Sequence, residues 1–155
     1  TVRIRRIRTM SNTSPLGLFV EAVHSETLRL IEELAAFIAR ERGPALSHLS
    51  PATRLLLMRE TSRMTRDLMD VMAWLLIEKA VASGEIEGDD TAQLAGFRLR
   101  PLTASRAPLA ELQELPLAAR GLIDRCRRIH ARALEVERMI HDQRAAEYAA
   151  PPVSP

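Results

Sequence analysis

Apolar side chains recur along this chain at alternating spacings of three and four residues in three long segments. The first segment runs from about residue 15 to residue 42, and its periodic positions are Val20, Val23, Thr27, Leu30, Leu34 and Phe37. This spacing places the side chains on one face of an α-helix. Gly43 and Pro44 follow the segment and are typical of a helix end. The pattern therefore predicts a first helix with one buried face.

The central segment, residues 50 to 85, carries two apolar stripes side by side. Ser50 suits an N-cap, Pro51 the first helical position and Gly84 a left-handed stop. The main stripe is Leu57, Thr61, Met64, Leu68, Val71 and Leu75; the second is Thr65, Met69, Met72, Leu76 and Ala80. A helix that is apolar on more than one face needs more than one covering element. We therefore expect a central helix that also drives formation of a homodimer.

The last long segment runs from Leu115 to about Glu147, with Pro116 near its first position. Its heptad stripe is Leu115, Ala119, Leu122, Cys126, Ile129, Ala133, Val136 and Ile140. Between the second and third segments we expect a turn and a short helix capped by Asp89 or Asp90, then an irregular loop that contains two prolines. The fold class predicted is all-α: a long antiparallel three-helix bundle with a short extra helix between helices 2 and 3.

The composition is that of a folded helical protein, and charge is distributed unevenly between the first 13 residues and the rest of the chain. Apolar residues make up 46% and aromatic residues 3% of the 155 residues. Residues 1 to 13 contain four arginines and no acid, so the remainder has 18 basic and 20 acidic residues. We expect a flexible basic arm (1–13), a bundle domain (14–147) and a flexible tail (148–155). Because the body is nearly neutral, we do not expect it to attract nucleic acid broadly. Without a long apolar run, and with one cysteine, the sequence favours a cytoplasmic protein that does not enter the membrane.

A search for catalytic groups finds few candidates. Cys126 lies in the heptad stripe, where a cysteine behaves as a small buried apolar residue. Glu21 and His24 form one Glu-x-x-His pair, whereas a di-iron bundle uses two such pairs. Glu137 and His141 are four residues apart and could share a metal or pair on a solvated face. We therefore predict no enzyme activity, no metal and no cofactor.

Two groups of residues are candidates for binding a protein partner. On the last helix Arg125, Arg128 and Arg132 contribute to a basic bias, which forms either a solvated face or a docking surface for an acidic partner. On the central helix Arg66 and Asp70 are spaced to pair, and Trp74 follows four residues later. A single tryptophan there is usually core or a subunit contact, but Trp and Arg are also enriched at interface hot spots.

The run from Met64 to Glu87 resembles the regulator-of-CtrA-degradation family, RcdA, of alphaproteobacteria. The matching residues are Thr65, Arg66, Met69, Ala73 to Leu76, Lys79, Ala80, Gly84 and Glu85. The resemblance implies a three-helix bundle that forms a homodimer and has no catalytic activity. It also implies an adaptor that helps the ClpXP protease to degrade cell-cycle regulators, with other adaptors and response regulators as partners.

Two features depart from the RcdA pattern and leave an alternative open. The segment Ile86 to Asp90 shifts the start of the following helix, and the basic arm is foreign to the family. The alternative is a small DNA-binding regulator that uses the arm and the basic face of the last helix. Against this alternative, the sequence has no compact helix-turn-helix signature.

Overall fold

A computed structural model of the chain describes residues 14–40, 46–86, 97–102 and 109–149. These residues form three long helices and one short helix: α1 (Pro15–Arg40), α2 (Pro51–Ser83), α3 (Leu109–Leu112) and α4 (Leu117–Ala149). The described part of the chain contains no β-strand. The predicted all-α bundle, with a short helix between the second and third long helices, is confirmed.

Both ends of α2 lie where the sequence signals place them. The Ser50 hydroxyl oxygen accepts a hydrogen bond of 3.1 Å from the backbone N–H of Thr53, which satisfies a donor that has no partner within the helix. At the other end Gly84 adopts φ 73°, a left-handed conformation that glycine takes without a steric penalty. The amide of Glu85 then donates to the carbonyl oxygen of Ala80 at 3.0 Å. These local contacts give α2 its full length of 33 residues.

The predicted heptad stripes form the core. Every predicted stripe position on α1 and on the last helix is buried, and on α2 five of the six are buried, with Thr61 half-buried. Trp74, Val71 and Leu75 of α2 are fully enclosed. The periodic pattern therefore identifies the residues that hold the three long helices together through apolar burial.

Helix α1 runs antiparallel to both of its long neighbours. Near its start, Glu21 pairs with Lys79 at the end of α2 at 2.9 Å. On its other side Glu33 pairs with Arg125 of α4 at 2.5 Å, and Glu26, seven residues earlier, pairs with Arg132, seven residues later. Partner numbers on α4 therefore fall as those on α1 rise. The end of α1 likewise meets the start of α2, where Ile38 and Met58 line one groove, so both helix pairs are antiparallel.

Helices α2 and α4 run parallel to each other. Thr53, at the start of α2, donates a hydrogen bond to Glu114, just before α4, at 3.4 Å. Glu78, near the end of α2, accepts one from Arg144, near the end of α4, at 2.6 Å. The chain between Gly84 and Pro116 must therefore return along the length of the bundle. The direction of α4 follows from this connection and not from the heptad pattern.

Residues 97–102 belong to this returning connection and lie across α2 and α4. Leu99 is buried, and its backbone N–H donates to a carboxylate oxygen of Glu137 at 2.6 Å. Arg100 reaches Asp70 of α2 at 3.0 Å. We call residues 97–102 the strap, because it links the two parallel helices on the side away from α1.

Three predicted features fall partly or wholly outside the described residues. The expected short helix at Asp89 or Asp90 lies in an interval that is not described, and the short helix that is described, α3, occupies Leu109–Leu112. The predicted arm, residues 1–13, and residues 150–155 of the predicted tail are also not described, while α4 continues to Ala149. None of the described helices combines the length and apolar character needed to cross a membrane.

Candidate interaction surface

A mainly apolar surface, with no Asp, Glu, Lys or Arg among its residues, runs along α1 and α2 on the side of the bundle away from α4. We call it the α1/α2 face; its residues are His24, Leu28, Ile31, Ala35 and Ile38 of α1 and Met58, Ser62, Thr65, Met69 and Leu76 of α2. The spacings of three, four and seven residues align each set on one side of its helix. Met58, Met69 and Leu76 are exposed by 65%, 54% and 52%. Most of the second apolar stripe of α2 is therefore left uncovered within one chain.

A groove lies between the two helices at one end of this face. Its volume is about 330 Å³, and it is lined by Phe37, Ile38, Leu46, Leu57, Met58, Thr61, Ser62 and Thr65. Ile38 and Ile31 were not identified from the sequence as surface residues. The sequence pattern that could have identified them is that each directly follows a core residue, Phe37 or Leu30. These two isoleucines therefore widen the apolar stripe of α1 toward α2.

Charged groups are confined to the margins of the α1/α2 face. At one end, the ammonium group of Lys79 hydrogen-bonds the Glu21 carboxylate and holds the pKa of that carboxyl below its usual value. From this pair to the far end of the groove, none of the face residues is Asp, Glu, Lys or Arg. A contiguous apolar area with a polar margin is typical of a surface that binds another protein.

Arg66 lies at the outer margin of α2, beside this face, and is exposed. Among the described residues it has no ion-pair partner. The expected pairing of Arg66 with Asp70 does not form, because Asp70 pairs with Arg100 of the strap at 3.0 Å. Arg63, a neighbouring arginine on α2, pairs with the buried Glu60 at 3.0 Å. Of the two charged candidates on α2, Arg66 remains available to a partner and Asp70 is engaged by the strap.

Trp74 has a different environment from the one suggested by its spacing to Asp70. Its side chain is 0% exposed and belongs to the core between the helices. Its indole N–H has no hydrogen-bond partner among the described residues. In this fold Trp74 offers no surface to a docking protein, because the side chain lies on the part of α2 that faces into the bundle.

The three arginines predicted on the last helix are exposed, but each has an acidic neighbour. Arg125 and Arg132 pair with Glu33 and Glu26 of α1, and Arg128 pairs with Asp124 one turn earlier on α4 at 2.9 Å. Arg125 also lowers the pKa of the Glu33 carboxyl through a hydrogen bond. The basic bias seen in the sequence is thus locally compensated, and two of the three pairs fasten α1 to α4.

Cys126 and Asp67 lie close together between α2 and α4, near His130. Burial raises the pKa of the Cys126 thiol to about 12, and the nearby Asp67 charge adds to this effect. Burial also raises the pKa of Asp67, against the opposing influence of His130. A thiol with so high a pKa carries almost no thiolate near neutral pH, and the thiolate is the nucleophilic form. This cysteine is therefore unsuited to nucleophilic catalysis.

The two acid–histidine pairs noted in the sequence form no metal cluster. In the described part of the chain no group of three or more His, Cys, Asp or Glu side chains is arranged to hold a metal ion. Glu21 lies 3.9 Å from His24 and contacts Lys79 more closely. Glu137 is buried and binds the strap, whereas His141 is exposed. Helical periodicity does not indicate this strap contact, since its partners are 38 residues apart in the chain.

Comparisons with known proteins identify a family and no individual relative. No significant match was found among curated proteins or among solved structures. A family described as "protein of unknown function (DUF1465)" matches residues 16–155, which includes the three long helices except Pro15. Because this match covers most of the sequence, the chain belongs to the DUF1465 family.

Proposed function

We propose that this chain is a non-catalytic adaptor that binds other proteins and brings them together. The observation that supports this function is the α1/α2 face, which leaves methionine and leucine side chains exposed over several helical turns without an intervening charge. An adaptor requires such a binding surface and requires no reactive group. The buried, high-pKa thiol of Cys126 is consistent with this role.

The resemblance of residues 64 to 87 to the RcdA family supports a more specific form of the proposal. In this form the chain acts in the cytoplasm as a homodimer and promotes regulated proteolysis of cell-cycle regulators by ClpXP. Its partners are ClpX, other adaptors of the same protease and response regulators. Arg66, at the margin of the α1/α2 face, is the predicted partner-binding residue whose position best fits this role.

A binding experiment with purified proteins tests the adaptor function. The chain is immobilised, and retention of ClpX, of a second adaptor and of a response regulator is measured separately. We expect at least one of them to be retained by the unmodified chain and retention to fall at least tenfold for Met69→Glu, because a buried unpaired charge is costly at an interface. ClpXP should also degrade the retained regulator faster when the chain is added.

Met139→Glu is the matched control for this experiment. Met139 is an exposed methionine on α4, outside the α1/α2 face. The control variant should retain the partner as well as the unmodified chain does. Failure to retain any of the three proteins would contradict the ClpXP adaptor function, and equal losses for the two variants would show that the α1/α2 face is not the binding surface.

A further inference from the structure

We propose that the surface of α2 and α4 beneath the strap is a docking site for a partner protein, and that the strap occupies this site until the partner displaces it. The partner's docking segment is irregular and carries an arginine, an aliphatic residue and a second arginine in succession. The site lies on the side of the bundle away from α1, apart from the α1/α2 face. The inference therefore goes beyond the proposed function and does not rest on it.

Three consecutive residues of the strap contact the two helices. Leu99 is 4% exposed and joins the apolar core, and its backbone N–H donates to a carboxylate oxygen of Glu137 at 2.6 Å. The guanidinium group of Arg98 lies 3.3 Å from the same oxygen, and that of Arg100 lies 3.0 Å from a carboxylate oxygen of Asp70. We call Asp70, Glu137 and the apolar surface that receives Leu99 the strap site. Its two acids and its apolar part match a basic–aliphatic–basic sequence.

The contact with Glu137 also selects the backbone conformation of the bound segment. Inside an α-helix the backbone N–H is already bonded to a carbonyl oxygen of the same helix. The strap belongs to no helix or strand, so the amide of Leu99 is free to donate to Glu137. Phe97 and Pro101, on either side of the three contact residues, are exposed. Recognition is thus confined to three residues of an irregular segment, which a loop of another protein can present.

The connection between α2 and α3 does not require the strap to occupy this site. It runs from Ser83 to the level of Arg59, whose guanidinium group lies 3.6 Å from a carboxylate oxygen of Glu111 on α3. Ser83 and Arg59 are about 36 Å apart along α2, whereas residues 84–108 span roughly 85 Å when fully extended. The strap can therefore leave the site while both ends of the connection keep their places.

The strap competes with any partner because it belongs to the same chain. A tethered segment acts at a high effective concentration beside its site. The apparent affinity of a partner is reduced by the fraction of chains whose site is open. Weakening the strap should therefore strengthen partner binding. A strap contact with a purely structural role would give no such gain.

Fluorescence anisotropy with a labelled synthetic peptide and the full chain tests the proposal. The peptide has the sequence of residues 95–104 and blocked ends, which removes its terminal charges. The open variant is Arg98→Glu/Arg100→Glu, in which the strap's glutamates repel Asp70 and Glu137. The two replaced side chains are 50% and 76% exposed, so the core is left intact. We expect the peptide to bind the open variant with a dissociation constant lower by about tenfold than that of the unmodified chain. Leu99→Ala should change the dissociation constant in the same direction without altering the charge of the strap.

Glu137→Gln and Glu135→Gln, each added to the open variant, form a matched pair. Glu137→Gln should raise the dissociation constant about tenfold, because its amide oxygen still accepts from the peptide backbone but no longer pairs with an arginine. Glu135 is an exposed glutamate of the same helix and pairs with Arg138. Its variant should bind the peptide as the open variant does. Circular dichroism should show equal helicity for all these chains.

Peptide binding that is no tighter to the open variant than to the unmodified chain would overturn the proposal, as would equal effects of the two glutamine substitutions. Equal binding of a peptide in which glutamates replace both arginines would also overturn it. Met69→Glu, on the α1/α2 face, should leave peptide binding unchanged. None of the proteins that test the adaptor function takes part, so failure of peptide binding would leave that function intact, and failure of the adaptor function would leave the strap site intact.

Discussion

Among the residues that the structure describes, three glutamates are buried, and each has a partner that pairs with or hydrogen-bonds its carboxylate. Glu60 pairs with Arg63, Glu78 with Arg144, and Glu137 accepts a hydrogen bond from the strap. A carboxylate removed from water is costly unless it is paired or hydrogen-bonded. The Glu78 contact joins α2 to α4 and the Glu137 contact joins α4 to the strap, so these two contacts also restrict how the elements can be aligned, whereas the Glu60 contact lies within α2.

The Glu78–Arg144 contact gives a stability prediction for a single residue. The two terminal guanidinium nitrogens of Arg144 donate to the two carboxylate oxygens of Glu78, at 3.3 and 2.6 Å. Arg144→Met should lower the free energy of unfolding by roughly 3 kcal/mol, because it leaves the buried carboxylate unpaired. Urea denaturation followed by circular dichroism measures this change.

Arg138→Met is the matched control for Arg144→Met. Arg138 also forms two ion pairs on α4, with Glu135 and Asp142, but all three side chains are exposed. Exposed ion pairs contribute little to stability, so the control should keep the denaturation midpoint of the unmodified chain. Equal effects of the two substitutions would contradict a special role for the buried pair.

Asp67 gives a prediction about pH. Burial raises its pKa in the folded chain above the ordinary value of 3.8, so the folded state holds this proton to a higher pH than the unfolded state does. The contribution of Asp67 to stability therefore falls as pH rises from the unfolded pKa through the folded pKa. Asp67→Asn removes this pH-dependent loss of stability.

We expect Asp67→Asn to raise the melting temperature by a few degrees near neutral pH and to have a smaller effect below the unfolded pKa of aspartate. Thermal denaturation across this pH range measures the difference between variant and unmodified chain. A stabilisation that is largest in acid would contradict the effect of burial and would indicate that the ionised form is favoured in the folded chain.

At the scale of single helices, the capping residues determine where α2 begins and ends. Ser50 and Gly84 make their contacts within a few residues of themselves, and these contacts were anticipated from the sequence. The position of the described short helix α3 was not anticipated. A helix of four residues has too little periodicity for an apolar pattern to be recognised.

Two glycines offer opposite predictions for the same substitution. Gly84 has φ 73°, where an alanine side chain is disfavoured, so Gly84→Ala should destabilise the chain by about 1 kcal/mol. Gly121 lies inside α4, and a Cβ there would meet no atom within 4 Å. Gly121→Ala should therefore stabilise the chain by about 0.8 kcal/mol, since alanine favours the helix.

Urea denaturation of both glycine variants under one set of conditions checks these signs. Contacts with the rest of the fold cannot explain a loss at Gly84, because a Cβ there meets no atom within 4 Å apart from its own residue and its two chain neighbours. The loss would come from the left-handed backbone conformation itself. A stabilising Gly84→Ala would show that the left-handed end of α2 is not maintained in solution.

At the scale of the whole molecule, the strap links the parallel helices α2 and α4. Leu99 supplies the buried side chain of this link, and its amide binds Glu137. Leu99→Ala should lower the free energy of unfolding by about 2 kcal/mol through loss of apolar burial. It should also expose the bond after Arg98 to trypsin under native conditions.

Limited proteolysis with mass spectrometry identifies cleavage at this bond. Phe97→Ala is the control, because Phe97 lies in the same segment but is exposed. It should leave both the stability and the cleavage rate nearly unchanged. Equal cleavage of the two variants would contradict the role of Leu99 in holding the strap.

The sequence by itself determined the three long helices, the ends of α2 and the buried stripe of each helix. These features depend on contacts between residues a few positions apart and on a repeat that any helix must align on one face. It also indicated that α2 carries a second apolar stripe, most of which the structure shows uncovered.

The tertiary structure decided which candidate residues remain available to a partner. In the fold Trp74 lies in the core, Asp70 pairs with Arg100 of the strap, and Arg125 and Arg132 pair with glutamates of α1. It also set the direction of α4, through a connection that returns along the bundle. These outcomes depend on residues far apart in the chain, and helical periodicity carries no information about which distant side chains meet.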